Sequence, residues 1–139
     1  MALTTSTETV DGPVPITVIA LDGELDASNF ERFVDEVRAL YDGGSRQLLI
    51  DLSGLRFLAS SGLVALHSIV LVMRGEAPPD PESGWDAFHT LGREVSSGSA
   101  QREVQLCAPQ PAVERVLQRT GLDRLFVVHQ DREAAIAAV

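Results

Sequence analysis

Two adjacent hydroxyls, Ser60 and Ser61, stand immediately before Gly62 and the apolar run from Leu63 to Met73. The chain reaches them through Leu48-Leu49-Ile50, a continuous apolar run of the kind shown by a strand covered on both faces. Asp51-Leu52-Ser53-Gly54 reads as strand exit and turn, and Phe57 and Leu58 anchor the approach to Ser60. Leu63 to Met73 is apolar almost all round and predicts a helix buried on most sides, too short to cross a bilayer. One of the two serines therefore sits at a helix N-terminus, where free N–H groups and the positive end of the dipole converge. A hydroxyl there serves either as an N-cap or as a modifiable group, because the N–H groups that cap a helix also welcome a phosphate. Position alone does not choose between the two.

Other chemistry is excluded mostly by what is missing. The chain has no Gly-rich nucleotide loop, no G-x-S-x-G elbow, no His-Glu-x-x-His and no cysteine cluster. Ser60 and His67 share a helical flank but lie about 10 Å apart in rise, too far to share a proton, so His67 reads as a packing or solvent-facing residue. His89 and His129 have no neighbours at metal-ligand spacing. The sequence thus points to a non-enzyme that needs neither metal nor cofactor. Glu24 and Asp26 are the remaining acidic candidates, either as a solvated loop near a helix start or as a charged contact surface. Loops after parallel strands gather at one end of a sheet, which places the Gly23–Asp26 loop beside the Ser60 turn.

The elements that must position these residues follow in chain order. Thr4 to Val10 alternates as an edge strand, Asp11-Gly12 signals a hairpin turn, and Ile16 to Leu21 is a buried strand. Gly23-Glu24-Leu25-Asp26 is the loop that follows. Ser28-Asn29-Phe30-Glu31 fits a capping box, with Ser28 as N-cap. The helix behind it carries Phe30, Phe33, Val34, Val37, Leu40 and Tyr41 on one stripe and stops at Asp42-Gly43-Gly44. The strand at Leu48 to Ile50 then closes a β-α-β crossover with parallel strands. Residues 74–102 hold Pro78-Pro79-Asp80-Pro81 and Ser96-Ser97-Gly98-Ser99, the composition of a flexible insertion, with Trp85, Phe88 and Leu91 recurring inside it. Val104 to Cys107 is a short strand, Pro111 opens a helix that Gly121 ends, Leu125 to Val128 is the last strand, and Asp131 caps a final helix. The predicted architecture is an α/β fold: a mixed sheet of about five strands, an N-terminal hairpin followed by parallel β-α-β units, with about four helices.

The 139 residues suit one domain with an insertion, and 45% hydrophobic content suits a packed core. A net charge of −9 disfavours nucleic acid and is compatible with docking on a basic protein surface. All 11 basic residues are Arg, in keeping with GC-rich bacterial coding. The lone Cys107 fits a reducing cytoplasm, and the start of the chain lacks the basic and apolar regions of a signal peptide. Nothing in the sequence predicts membrane insertion.

Asp51-Leu52-Ser53 with Phe57-Leu58-Ala59-Ser60-Ser61-Gly62-Leu63 resembles the signature of the STAS domain family, whose best-known members are bacterial anti-sigma factor antagonists. Gly23-Glu24-Leu25-Asp26, Pro111-Ala112-Val113 and Thr120-Gly121-Leu122 match further blocks in the family's order, over nearly the whole chain apart from the insertion. The resemblance implies an anti-anti-sigma factor in stress-response transcription regulation. Such a protein binds an ATP-dependent anti-sigma factor serine kinase and releases its sigma factor. It is switched off by phosphorylation and restored by a serine phosphatase. By position Ser60 corresponds to the phosphorylated serine, with Ser61 as the alternative and otherwise turned towards the helix's own N–H groups as the structural cap. The family often has an acidic residue where this chain has Ala59. The implied partner surface comprises Glu24, Asp26, Ala59, Ser60, Ser61, Gly62 and Leu63, with Gly62 giving clearance for the partner's approach. Two other readings fit the resemblance: an unphosphorylated STAS scaffold or accessory subunit in a stress-sensing or lipid-transport complex, and a ligand-sensing module with the insertion as a lid.

Overall fold

The computed structural model describes residues 2–11, 15–75 and 101–137, with only the backbone of residues 101 and 102. The turn residues 12–14, most of the expected insertion including Trp85, Phe88 and Leu91, and the last two residues lie outside the described part. Five strands form one sheet in sequence order: β1 (Leu3–Val10), β2 (Ile16–Leu25), β3 (Leu48–Leu58), β4 (Gln101–Cys107) and β5 (Phe126–His129). β1 pairs antiparallel with β2, and every later pair is parallel. The described helices are α1 (Phe30–Asp42), α2 (Ser60–Met73), α3 (Pro111–Thr120), the single turn α4 (Leu122–Leu125) and α5 (Arg132–Ala137). The hairpin followed by parallel units is the expected fold; the extra helical turn is α4, which follows Gly121 directly.

One face of the sheet carries the main core. Ile19, Leu21, Leu25, Ile50, Val104 and Leu106 meet Phe33 and Val37 of α1, Leu66 and Ile69 of α2, and Val113 and Leu117 of α3. α2 lies against both α1 and the sheet, and all its residues are buried except Ser60, Ser61 and Leu71. That is why its sequence shows no polar face. The other face holds a smaller cluster of Ile16, Val18, Leu49 and Cys107, covered by Ala135 of α5.

The strands run further than the sequence suggests. Gly23 to Leu25 belongs to β2 rather than to a loop, and Asp51 to Leu58 continues β3 rather than leaving it. Two register shifts account for the difference. Ala20 faces Asp51 but Asp22 faces Gly54, and Gly23 faces Leu55 but Glu24 faces Phe57, so β3 gains one residue at each step. Each is a β-bulge. Leu52, Leu55 and Leu58 are therefore all buried at intervals of three, where an unbroken strand buries every second residue. Gln101 and Arg102 likewise extend β4 into the end of the expected insertion. At the helix starts, α1 begins one residue later than the capping-box reading expects, with Asn29 as its N-cap, while Asp131 does cap α5 by accepting the Ala134 N–H at 2.8 Å.

Gly62 is a packing residue. A Cβ there would lie 2.5 Å from Leu58 Cδ1, 3.0 Å from the Leu25 carbonyl oxygen and 3.1 Å from Leu25 Cγ, so α2 rests on the β2–β3 arm only because residue 62 has no side chain. The clearance is internal, contrary to the expectation that a partner's approach requires it. Gly62→Val should destabilise the fold by about 1–3 kcal/mol through overpacking. Urea denaturation checks this, and an unchanged midpoint would show that α2 can slide away from the arm.

Asp51 is 8% exposed and fastens the last helix to the sheet. Its Oδ1 accepts the Ser53 N–H at 2.9 Å, its Oδ2 accepts Arg132 Nη2 at 2.9 Å, and the other Arg132 nitrogen reaches Glu8 of β1. Burial pushes the Asp51 carboxyl up, but the Ser53 N–H and hydroxyl and the Arg132 guanidinium outweigh it, leaving it below the ordinary aspartate value. A carboxylate depressed in the folded state stabilises above its unfolded pKa and loses that contribution as pH falls through the folded value. Asp51→Asn should therefore lose about 1–3 kcal/mol at neutral pH. The gap from wild type should hold down to about pH 4 and narrow progressively below it, as pH falls towards the depressed folded value. Melting curves of both proteins between pH 7 and pH 3 test this; a gap as large at pH 3 as at pH 7 would contradict it.

Candidate functional site

The Ser60 turn is set by the end of the β2–β3 arm. Leu25 faces Leu58 in the ladder, and the Ala59 N–H donates to the Leu25 carbonyl at 3.0 Å, so the pairing carries through to the residue before the helix. Ala59 is the N-cap, with extended backbone (φ −82°, ψ 172°), and its carbonyl accepts the Leu63 N–H at 3.2 Å. Ser60 and Ser61 are then the first two helical residues. No side chain caps α2, so Ser61 is not the structural cap that its position suggested. Ser60 is exposed and Ser61 half-buried. The exposed hydroxyl thus stands at the positive end of a 14-residue helix whose N-cap makes no side-chain bond and whose first turn carries no acidic residue.

Glu24 and Asp26 come to the same end of the sheet. Glu24 is opposite Phe57 in the ladder, and Asp26 follows the last β2 residue, Leu25, which itself holds Ala59. A buried amide shapes this corner: Asn29 Oδ1 accepts the Asp26 N–H at 3.0 Å, and Asn29 Nδ2 donates to the Glu24 carbonyl at 2.9 Å. The Ser28 hydroxyl and N–H both donate to Asp26 Oδ1. The Ser28 hydroxyl, and then its N–H, hold the Asp26 carboxyl below its ordinary value, so this group is ionised throughout the neutral range. Asn29 went unnoticed in the sequence because Ser28 offered a complete capping box one residue earlier; an Asn directly before an apolar helical stripe was the available signal.

Of the other residues assigned to this surface, Ala59 is half-buried, while Gly62 and Leu63 are buried beneath it. Phe57 and Leu58, expected together to anchor the approach to Ser60, turn opposite ways: Leu58 is buried and Phe57 is 47% exposed. Arg56 beside it is exposed and pairs with Asp22 at 3.8 Å.

No reactive constellation accompanies these groups. His67 is 1% exposed within α2, a packing residue. Cys107 is buried and its thiol is pushed up to about 12, first by desolvation and then by the nearby Asp51 charge, so it is not a nucleophile at neutral pH. Among the described residues no group of His, Cys, Asp and Glu is placed to hold a metal ion, and no helix is long and apolar enough to cross a membrane. A cleft of about 320 Å³ opens between α3 and the end of β5, lined by Pro109, Glu114, Leu117, Asp123, Val128 and His129 among others, and none of Glu24, Asp26 and Ser60 lines it.

Residues 9–77 match a family model described as "Mlab, STAS domain". BtrV of Bordetella bronchiseptica, named as an anti-sigma factor antagonist, is 28% identical over 93% of this chain and 88% of its own. The crystal structure of an anti-sigma factor antagonist from Mycobacterium paratuberculosis superposes with a TM-score of 0.68 at 24% identity, covering 99% of this chain and 94% of that one. The Bacillus anti-sigma factor antagonist SpoIIAA superposes in its unphosphorylated form at a TM-score of 0.63 and 19% identity over 96% and 95% of the two chains. Its phosphorylated form does so at 0.55 and 18%, over 96% and 100%. Model, sequence relative and shared fold point one way: residues 9–77 match the STAS domain, and the relative and solved structures that the chain resembles are named as anti-sigma factor antagonists.

Proposed function

We propose that this protein is the substrate in a phosphorylation switch rather than an enzyme. Unmodified, it docks by its Ser60 end on an ATP-dependent anti-sigma factor serine kinase and frees the sigma factor that the kinase holds. Phosphorylated on Ser60 it dissociates, and a serine phosphatase restores it. All of this takes place in the cytoplasm, where the single Cys107 stays reduced. The observation that carries the reading is that Ser60 is exposed at an N-terminus no side chain caps, beside Glu24 and Asp26, whereas Ser61 is partly withdrawn. That SpoIIAA exists in phosphorylated and unphosphorylated forms supports phosphorylation as the kind of switch.

The physical basis is one of desolvation. A phosphate adds a charge of about −1.5 to −2 and three acceptor oxygens. Free in solvent, it meets the positive end of α2, which is favourable by about 0.3–1 kcal/mol. Enclosed against a partner without a matching cation, it costs several kcal/mol, and each 1.4 kcal/mol is tenfold in affinity. Glu24 and Asp26 would meet basic groups of the kinase.

A second reading, an unphosphorylated STAS scaffold or accessory subunit, is favoured by one feature: Ala59 precedes Ser60, and the first turn of α2 has no acidic residue. One experiment separates the two. With the kinase of its own cell and ATP, wild type should gain one phosphate, Ser61→Ala should gain it equally, and Ser60→Ala should gain none while still binding. Ser60→Asp should bind at least tenfold more weakly, with a melting temperature close to that of wild type. Undiminished phosphorylation of Ser60→Ala would refute the site, and wild type left unmodified by every anti-sigma factor kinase of the cell would overturn the switch and promote the scaffold.

A further inference from the structure

Among the described residues Phe57 is the large apolar side chain left exposed, at 47%, and it stands three residues before Ser60. Its exposure has a structural cause. Leu55 is buried, so regular alternation along β3 would bury residue 57 and expose residue 58. The second bulge, where Gly23 and Glu24 face Leu55 and Phe57, inserts Arg56 and reverses that order: Leu58 turns into the core at 4% exposure and Phe57 turns out. Bulges re-aim side chains in this way beside functional sites. Phe57 is absent from both core clusters, so the packing does not call on its ring.

What surrounds the ring is polar and mostly acidic. Glu24 is directly opposite it, Asp22 lies two residues back along β2 in an ion pair with Arg56, and Asp26 and Ser60 follow on the two adjoining chain ends. We propose that Phe57 is the apolar anchor of the contact centred on Ser60, and that the partner protein receives it in an apolar pocket flanked by basic side chains. The inference rests on the reading of the Ser60 end as a partner surface and adds what that partner must offer. Aromatic side chains in desolvated pockets carry a disproportionate share of interface energy, while the polar residues around them exclude water. In that arrangement the partner encloses Ser60 beside the anchor, and an added phosphate finds the nearby basic groups already engaged by Glu24 and Asp26. The chain's net charge of −9 adds long-range attraction to a basic partner face.

The test uses the full chain and the purified anti-sigma factors of its own cell, each titrated with ADP present, by calorimetry. Wild type should bind one of them. Phe57→Ala should bind it at least 30-fold more weakly, about 2 kcal/mol, and Phe57→Leu should recover most of the loss. Both variants should melt within a few degrees of wild type. If Phe57→Ala binds within threefold of wild type while Ser60→Asp loses binding, the Ser60 surface stands and the anchor is overturned. A large fall in the melting temperature of Phe57→Ala would also overturn it, by placing the ring in the core. Should no anti-sigma factor bind wild type, the partner reading itself falls and the anchor with it.

Discussion

The site depends on β2 and β3 staying paired beyond the point where β4 ends. β4 stops at Cys107, opposite Asp51, yet β3 continues to Leu58 with β2 as its one ladder partner, while β1 follows the far edge of β2 only as far as Gly23. So narrow an extension is marginal in water unless something buries one of its faces. Here Leu52, Leu55 and Leu58 do so together with Leu21 and Leu25, all within the main core. The ladder would drive them outward if it kept strict alternation, and the two bulges resolve the conflict by inserting a residue wherever the next leucine would otherwise face solvent. Everything used at the Ser60 end follows from that solution: the outward Phe57, the Ala59 N–H bonded to the Leu25 carbonyl, and the start of α2 on a platform with little freedom to move.

The same irregularity explains where the sequence was legible and where it misled. The α/β topology was readable because it depends on period: the stripe from Phe30 to Tyr41, the all-apolar α2 and the short apolar strands each state their partners through burial. Ser60 was readable because the residues before Gly62 lie at a helix start. The arm was not, because Leu52-x-x-Leu55-x-x-Leu58 has neither strand nor full helical period, and Gly54 in its midst looks like a turn. Only the opposing register of Asp22 to Leu25 reveals it as a strand with two insertions. Asn29 and Arg132 were missed for a different reason. Both act through polar bonds to residues whose positions tertiary structure alone fixes, Arg132 reaching Asp51 from 81 residues away.

The two faces of the sheet are stabilised by different means. The helix-covered face closes by apolar packing, while the thinner cluster of Ile16, Val18, Leu49 and Cys107 is covered by a six-residue helix that apolar contacts alone would hold weakly. Arg132 supplies the rest by tying α5 to β3 through Asp51 and to β1 through Glu8. This polar clamp lies on the face of the sheet opposite α2, so events at Ser60 do not load it. Asp51 thus shares the Asp-Leu-Ser segment with the approach to the site, yet its work is structural.

Rigidity at the Ser60 end decides what kind of switch the protein supports. A ligand or modification shifts a conformational equilibrium only through different interactions with its two states. α2 is buried along nearly all its length, and Gly62 in its first turn packs directly against Leu25 and Leu58, so close packing holds the start of the helix in place. A charge on Ser60 therefore has little to act on inside the free protein, where solvent and the helix dipole both accommodate it. In the proposed complex its unfavourable interaction would arise when a partner removes that solvent around Phe57, Glu24 and Asp26. The opposite sign of the two terms, mildly favourable free and strongly unfavourable enclosed, is sufficient for the protein to act as a switch without changing shape.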